Sequence, residues 1–298
     1  MTTVAPGRLG PMSRPEVVHD VVEARSRLDA DRAAGRVVGL VPTMGALHDG
    51  HESLVRRAAE ECDRVVVTIF VNPTQFGANE DFTTYPRTLE ADLARAQVAG
   101  AHLVVVPSVE AMYPGWPQPV LTTVRVAGLS EVLEGASRPG HFDGVATVVS
   151  KLFQLAGPCR AYFGEKDWQQ LQVVRRMARD LLFPVAVIGC DTVREDDGLA
   201  LSSRNAYLTA QERADGPVLH RALSAGRDSV LAGERTVAGV QAAMAAAIGT
   251  TVEPDYLAVV DSSTLVPVEP LSGSLRLLVA ARFGRARLID NLGVEVPS

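Results

Sequence analysis

Cysteine is scarce in this chain of 298 residues, which contains three, Cys62, Cys159 and Cys190. They lie far apart, and no CxxC pair is present. This pattern excludes a disulfide framework and a zinc ribbon, which both need cysteines at recurring short spacings. We therefore expect three structural thiols and a reducing, cytoplasmic location.

Long apolar runs and an excess of basic charge are also missing. The most apolar stretch, VVVTIFV at 65–71, has the length of a strand and is far too short to span a membrane. With 35 acidic and 29 basic side chains the net charge is −6, which argues against a broad nucleic-acid or anionic-membrane surface. The amino terminus lacks the basic-then-apolar build of a signal peptide. We expect a soluble intracellular protein.

The hydrophobic pattern divides the chain near residue 193, and its length suits two domains. Before that point, apolar strand-like runs alternate with helical patterns. We predict strands at 16–20, 36–43, 63–72, 101–108, 160–165 and 184–193, and helices at 21–34, 51–62, 88–100, 144–157 and 168–182. Because these strands are apolar throughout, they are typical of a parallel sheet covered on both faces. The predicted fold class is α/β, a doubly wound parallel sheet.

The segment after Val193 has a different pattern. Two Ala-rich helical stretches precede three short apolar segments that could form a small sheet. The helices are predicted at 209–232 and 236–249, and the strands at 255–261, 276–284 and 286–291. We therefore predict a loose tail at 1–14, a first domain at 15–192 and a smaller α+β domain at 193–298.

Two histidines stand three residues apart in VPTMGALHDGHESLV (41–55), where a predicted strand turns into a predicted helix. His51 opens that helix, whose free N–H groups favour an anion such as phosphate. Doubly wound sheets bind ligands at the carboxyl ends of strands, and Gly45 and Gly50 let a ligand approach the backbone. A zinc site is disfavoured because no third ligand lies within reach. Two polar residues on a solvated turn would also explain the spacing. We favour an anion clamp at His48 and His51. The phosphate motifs GxGxxG and GxxxxGKS/T are absent from this position.

The HDGH segment resembles the HxGH signature of class I nucleotidyltransferases and aminoacyl-tRNA synthetases. Further motifs follow in order from residue 41 to about 208: PTMGALHDGH, FVNPTQF, YPRT, RPGHFDGV, FGEKDWQQL and SSRN. Their order and spacing resemble the pantoate–beta-alanine ligase family, and LVAAR and RLIDN in the last third match it more loosely. Six motifs in order are a far more specific signal than HxGH alone.

This resemblance implies a Rossmann-like domain at 15–192 that binds ATP and pantoate, and a lid at 193–298. It implies ATP-dependent condensation of (R)-pantoate with β-alanine to pantothenate, AMP and pyrophosphate, through a pantoyl adenylate. The pantoate carboxylate is then the nucleophile, so catalysis needs positioning and charge neutralisation rather than a Ser or Cys nucleophile. Mg²⁺ would accompany the triphosphate. A homodimer is implied by the family alone.

The resemblance also assigns individual residues. It gives catalytic roles to His48, His51, Lys166 and Arg204, with His51 as a proton donor, which suits the titration range of histidine. The same four residues would contact ATP, together with Met44, Gly164, Asp167, Val193, Leu201, Ser202 and Ser203. Leu201 stands where the family commonly has Met, which changes only an apolar contact. It assigns pantoate to Gln75 and Gln170, with Gln75 also near β-alanine. From the residues themselves, Asn72 is a further candidate for substrate contact, and Arg138 is a candidate for offsetting charge at the site mouth or else a surface loop charge. No residue is assigned to a metal.

Plainer interpretations exist for several of these residues: Lys166 as a surface charge, Met44 as core packing, Gln170 as a polar helix position. Two other functions also stay open at this point. A nucleotidyltransferase that adenylates a phosphate ester is disfavoured by the two glutamines and by the lack of a second basic cluster. A nucleotide-binding module without turnover is disfavoured by the complete set of phosphate-binding side chains.

Overall fold

A six-stranded parallel sheet forms the first part of the protein. The computed structural model describes residues 14–77 and 82–297, so the predicted tail at 1–14 lies outside the described residues except for Arg14. The strands are β1 (Glu16–Val18), β2 (Val38–Thr43), β3 (Arg64–Ile69), β4 (Leu103–Val105), β5 (Cys159–Gly164) and β6 (Val185–Cys190), in the order β1-β4-β3-β2-β5-β6. The predicted α/β class is confirmed.

Helices cover both faces of this sheet. They are α1 (Val21–Ala33), α2 (Asp49–Glu61), α3 (Leu89–Ala99), α4 (Val109–Met112), α5 (Glu134–Ser137), α6 (His141–Ala156) and α7 (Trp168–Asp180). Buried side chains of α1, α6 and α7 pack with Leu40 and Val66 in one core. Buried side chains of α2 and α3 pack with Val41 and Val65 in another. Neighbouring strand residues therefore enter opposite cores, which is why the strands are apolar throughout.

The strand order reverses beside β2. The chain runs from β2 outward to β3 and β4, then returns to place β5 on the other side of β2. Doubly wound sheets bind ligands in the crevice at such a reversal, outside the carboxyl ends of the strands. The segments that follow β2 and β5 carry the histidine pair and Lys166, respectively.

An antiparallel three-stranded sheet and three helices form the last part. The elements are α8 (Ala210–Asp215), α9 (Val218–Leu231), α10 (Val237–Ile248), β7 (Pro254–Asp261), β8 (Ser274–Phe283) and β9 (Ala286–Glu295). The prediction of one helix over 209–232 is wrong, because the helix is interrupted at Gly216 and Pro217. Proline has no N–H to continue a helix but suits the start of the next one.

Between the two sheets, the chain leaves β6 at Cys190 and enters β7 at Pro254. An isolated antiparallel bridge pairs Arg194 with Ala200 just after β6. The predicted domain limits at 192 and 193 stay a prediction. No helix in 14–77 or 82–297 combines the length and apolarity that crossing a membrane requires.

Candidate active site

A buried carboxylate holds the loop between β2 and α2. Gly45 and Ala46 have φ of 86° and 50°, both in the left-handed region. The Asp92 side chain, 1% exposed, accepts hydrogen bonds from the backbone N–H of Ala46 at 3.1 Å and of Leu47 at 2.7 Å. Sequence reasoning missed Asp92, because an acid within an amphipathic helical pattern gives no sign of a distant backbone partner.

The two histidines cap the start of α2 together. His48 is the N-cap, and its Nδ1 accepts from the backbone N–H of Gly50 at 3.1 Å. His51 lies in the first turn, and its Nδ1 accepts from the backbone N–H of His48 at 3.3 Å. The ring centroids are 4.1 Å apart. The helix thus begins at Asp49, two residues before the predicted start, because His48 takes the place of the usual hydroxyl or carboxylate cap.

Both imidazoles are neutral in the free protein. Burial lowers the pKa of His51 to about 3, and the Lys166 ammonium, as well as His48 when it is protonated, contributes to this lowering. Burial and the charges of Lys166 and Arg95 also lower the pKa of His48. Since each Nδ1 accepts a backbone N–H, we assign the ring proton to Nε2 in both residues. At neutral pH the pair therefore offers two N–H donors, and the pKa of His51 lies below the ordinary value for histidine.

Lys166 lies on a tight turn at the carboxyl end of β5. The strand ends at Gly164, a 3-10 turn spans Glu165–Asp167, and α7 follows at once. Lys166 Nζ is 3.5 Å from an Asp167 carboxylate oxygen. Burial by itself raises the pKa of Asp167, but the charges of Lys166 and Arg204 outweigh it and hold that pKa below its usual value. Lys166 and Arg204 therefore act on the same carboxylate and belong to one site.

The segment Leu201–Arg204 lies against the start of α2. A Cβ added at Gly50 would be 3.8 Å from Leu201 Cβ, which brings this segment next to the histidine pair. Ser202 caps a 3-10 turn at Ser203–Tyr207, and its Oγ accepts from the Arg204 N–H at 3.3 Å. The backbone N–H of Leu201 donates to the Val193 carbonyl at 3.0 Å. Whether the Val193 backbone also faces adenine stays a prediction.

A cavity of about 620 Å³ lies between the carboxyl edge of the parallel sheet and the last part of the chain, within the range of small-molecule sites. Its wall includes the predicted site residues Arg138, Lys166, Asp167, Gln170, Ser202 and Arg204. Met44 instead lines a cavity of about 290 Å³ that also includes Asp92. The other predicted residues are outside these two walls: His48, His51, Asn72, Gln75, Gly164, Val193, Leu201 and Ser203.

Gln75 is oriented by Asn72. The Asn72 amide, 1% exposed, donates to Gln75 Oε1 at 3.0 Å and to the Gly144 carbonyl at 3.2 Å, so both of its protons are used. Gln75 Nε2 in turn lies 3.2 Å from Met44 Sδ. Asn72 thus supports Gln75, and direct contact between Asn72 and a substrate stays a prediction.

His141 joins Gln75 to Arg138 on the cavity wall. Its Nδ1 is 2.9 Å from the Gln75 carbonyl, and its Nε2 is 3.1 Å from Arg138 Nη1. A neutral ring protonated on Nδ1 satisfies both contacts. His141 is the first residue of α6 and lines the cavity.

The polar groups at the cavity are suited to phosphate rather than to a metal ion. Guanidinium, ammonium and hydroxyl groups bind phosphate oxygens, whereas Mg²⁺ prefers carboxylates and water. Within the described ranges no group of three or more His, Cys, Asp or Glu side chains could hold a metal ion.

Comparisons with known proteins agree on one family. The family model for pantoate-beta-alanine ligase matches residues 16–293. A pantothenate synthetase of Moorella thermoacetica is 52% identical over 283 residues, covering 94% of this chain and 99% of that protein. The crystal structure of a pantothenate synthetase from Thermus thermophilus has 52% identity and a TM-score of 0.87, covering 94% of this chain and 99% of that one. A pantoate-beta-alanine ligase of Francisella tularensis, complexed with beta-gamma ATP and beta-alanine, has 32% identity and a TM-score of 0.76, covering 93% and 97%.

Proposed function

The chain belongs to the pantoate–beta-alanine ligase family and joins pantoate to β-alanine with ATP, and we propose that it does so through a bound pantoyl adenylate. One observation supports this mechanism above the others. The histidine pair, the Lys166 turn and the Leu201–Arg204 segment come together at the strand reversal between β2 and β5. This is where a doubly wound sheet binds its ligand.

In the first step, a pantoate carboxylate oxygen attacks the α-phosphorus of ATP. The bond between the α-phosphorus and the bridging oxygen breaks, and pyrophosphate leaves. Negative charge that builds up on the phosphates is met by Lys166 and Arg204, by the hydroxyls of Ser202 and Ser203, and by the Nε2–H donors of the histidine pair. Met44, Gly164, Asp167, Val193 and Leu201 are assigned to the nucleoside side.

In the second step, the uncharged β-alanine amine attacks the acyl carbon of the adenylate. AMP leaves with the electron pair of the broken C–O bond, and the nitrogen of the new amide loses one proton to solvent. Gln75 and Gln170 are assigned to pantoate, with Gln75 also near the amine. Neutral amides hold a carboxylate without the firm ion pair that would blunt its nucleophilicity. Arg138 lies on the cavity wall beside His141, and its assigned role is to offset the negative charge of the substrate carboxylates.

We further infer that ATP is bound with Mg²⁺, that the protein is a homodimer and that it is cytoplasmic. The first inference is supported by triphosphate chemistry. The second comes from the family resemblance, and light scattering of the purified chain tests it. The third is supported by three free cysteines among the described residues, Cys62, Cys159 and Cys190.

The decisive experiment is exchange of labelled pyrophosphate into ATP, with and without pantoate and with β-alanine left out. We expect exchange that requires pantoate but not the amine. AMP formation only when both substrates are present, without exchange, would mean a concerted reaction and would overturn the adenylate. Exchange without any pantoate dependence would favour a nucleotidyltransferase that uses another acceptor.

Two lysines allow a matched variant pair in the same assay. Lys166→Met removes the ammonium at the cavity and is expected to lower exchange by about 100-fold or more. Lys151→Met removes an ammonium on α6 that lies over the Tyr113 ring, outside the proposed phosphate site. We expect near-normal exchange from this second variant. Equal losses in the two variants would count against the role given to Lys166.

A further inference from the structure

We propose that Asn291 on β9 is a positioning residue for Lys166, so that the carboxyl-terminal sheet forms part of the phosphate site rather than only covering it. The inference rests on the proposed function, in which Lys166 binds the triphosphate. It also gives a role to RLIDN (287–291), a motif that the sequence singles out without assigning it any chemistry.

The side chain of Asn291 holds the turn that carries Lys166. Asn291 is 3% exposed, and its Nδ2 donates to the backbone carbonyls of Glu165 at 3.0 Å and Lys166 at 2.8 Å. Its Oδ1 accepts from Arg276 Nε at 2.6 Å. Both amide protons are thus used on the 3-10 turn, and the orientation of the amide is fixed from β8. Only a short side chain with two donors at its tip makes this pair of contacts.

Arg276 supports the same turn at both of its ends. Its guanidinium Nη2 is 3.2 Å from a Glu165 carboxylate oxygen. The guanidinium carbon also lies 3.6 Å from the centroid of the Trp168 ring, the first residue of α7. Lys166 is therefore flanked on each side by a residue that the carboxyl-terminal sheet holds in place.

The residue before Asn291 holds the other phosphate-binding segment. Asp290, 3% exposed, forms a bidentate ion pair with Arg194 at 2.7 and 2.9 Å. Arg194 also donates to the Gly198 carbonyl at 3.0 Å, within the loop that leads to Leu201. Two adjacent residues of β9 thus hold the Lys166 turn and the Leu201–Arg204 segment. The distance between the Lys166 turn and the Leu201–Arg204 segment is therefore set by β9. Any lid movement that separates β9 from Lys166 must break the hydrogen bonds of Asn291 to the Glu165 and Lys166 carbonyls.

Asn291→Asp tests the proposal with an isosteric change. It removes both N–H donors and puts a carboxylate oxygen against two carbonyl oxygens. We expect pantoate-dependent pyrophosphate exchange to fall about 10-fold or more, with a KM for ATP about fivefold higher, because Lys166 loses its orientation. Aminolysis of separately prepared pantoyl adenylate by β-alanine should stay within about twofold of the unsubstituted protein, since no phosphoanhydride is broken in that step.

The matched control is Gln241→Glu. Gln241 Nε2 donates to the Leu257 carbonyl at 2.7 Å, so the same amide-to-acid change occurs inside the carboxyl-terminal part and away from Lys166. A second variant, Asn291→Ala, removes both N–H donors without adding charge and should show the same split between half-reactions. The proposal is overturned if the Asn291 variants match Gln241→Glu, or if both half-reactions fall equally. Absence of pantoate-dependent exchange in the unsubstituted protein would instead overturn the proposed function.

Discussion

At the start of α2, the side chains of His48 and His51 together cap the helix. Each Nδ1 accepts a backbone N–H, so protonation there would break one of the caps of the helix. What each ring can offer a ligand is its Nε2–H. In the proposed function, the phosphates of ATP are therefore met by N–H donors at His48 and His51 and by the cationic side chains of Lys166 and Arg204.

This arrangement predicts how substitutions of His51 should differ. His51→Ala removes the Nε2–H donor and should lower kcat/KM for pyrophosphate exchange by about 100-fold or more. His51→Gln keeps an N–H donor near the same position and should retain clearly more activity than the alanine variant. His19→Gln, at an exposed position, is the control. If glutamine and alanine are equally poor, hydrogen-bond donation is not what His51 supplies.

The depressed pKa of His51 also predicts a pH dependence of stability. The folded value is about 3 and the ordinary value is 6.5. Between the two, the unfolded chain binds a proton that the folded chain does not, so stability rises with pH across this window. This contribution is complete above pH 6.5 and is lost as the pH falls toward 3. From about pH 6.5 to about pH 4.5, the free energy of unfolding in urea should fall less steeply in His51→Gln, and equal slopes would contradict the assignment.

Asp92 is the residue whose loss should disturb this loop most directly. Besides the N–H groups of Ala46 and Leu47, it accepts from the hydroxyl of Thr88 at 3.3 Å. In Asp92→Asn, an NH₂ group faces the backbone N–H of Ala46 or Leu47, which then lacks an acceptor. We expect the free energy of unfolding to fall by about 1–3 kcal/mol. We also expect a lower kcat/KM for ATP. Glu90→Gln on the exposed side of α3 should change neither quantity, and an unchanged kcat/KM in Asp92→Asn would separate the loop from catalysis.

Among the structural elements, the β2–α2 loop depends on a glycine that has a positive φ and little space around its Cα. Gly45 has φ of 86°, and an added Cβ would lie 3.0 Å from an Asp92 oxygen and 3.1 Å from Ile69 Cγ2. Gly35 has φ of 78°, with nothing within 4 Å of an added Cβ. Gly35→Ala should cost about 1 kcal/mol from backbone strain alone and leave activity intact. Gly45→Ala should cost more and reduce exchange. Equal losses of stability, measured by urea unfolding, would contradict the steric part of this argument.

The elements themselves were largely predictable from the sequence, because the periodicity of buried residues is local. The continuous apolar runs at 36–43 and 63–72 predict buried parallel strands, and β2 and β3 lie within them. The break at Gly216 and Pro217 was also local, but the Ala-rich pattern on both sides hid it. The start of α2 was misplaced because histidine is not among the usual N-cap residues.

What the sequence did not predict depends on contacts between distant segments. Asp92 meets Ala46 across 46 residues, and Asn291 meets Lys166 across 125. Such bonds follow from how α3 packs beside β2 and how the second sheet docks on the first, and no local pattern encodes them. The family motifs located Lys166, Ser202 and Arg204, but the charge state of the histidines followed only from their burial.

For the whole molecule, a partly buried cluster of polar groups joins the two parts of the chain. Glu134, 8% exposed, accepts from the Tyr256 hydroxyl at 2.9 Å and forms an ion pair with Arg287. Arg287 also pairs with Asp255 at 2.5 Å. Burial and the Glu134 charge raise the pKa of Tyr256, so the tyrosine stays a hydrogen-bond donor at neutral pH. The Trp168 indole N–H adds a bond to the Ser262 carbonyl at 2.7 Å.

Arg287→Met should therefore destabilise the whole protein rather than one surface of it. It leaves the Glu134 carboxylate buried without its counter-charge, at a cost of about 3 kcal/mol or more. Urea unfolding followed by tryptophan fluorescence, to which Trp116 and Trp168 contribute, measures this loss. Arg227→Met breaks an exposed pair with Asp228 and should have no measurable effect.

A double variant, Glu134→Gln with Arg287→Met, then separates two explanations. If the loss comes from an unpaired buried charge, removing that charge should recover a large part of the stability. If the loss comes from the packing of the arginine stem, the double variant should be no better than Arg287→Met. The first outcome would mean that charge pairing holds the junction. The docking of β9, and with it the position of the Lys166 turn, would then depend on the ionisation of Glu134 and Arg287, which line the same cavity.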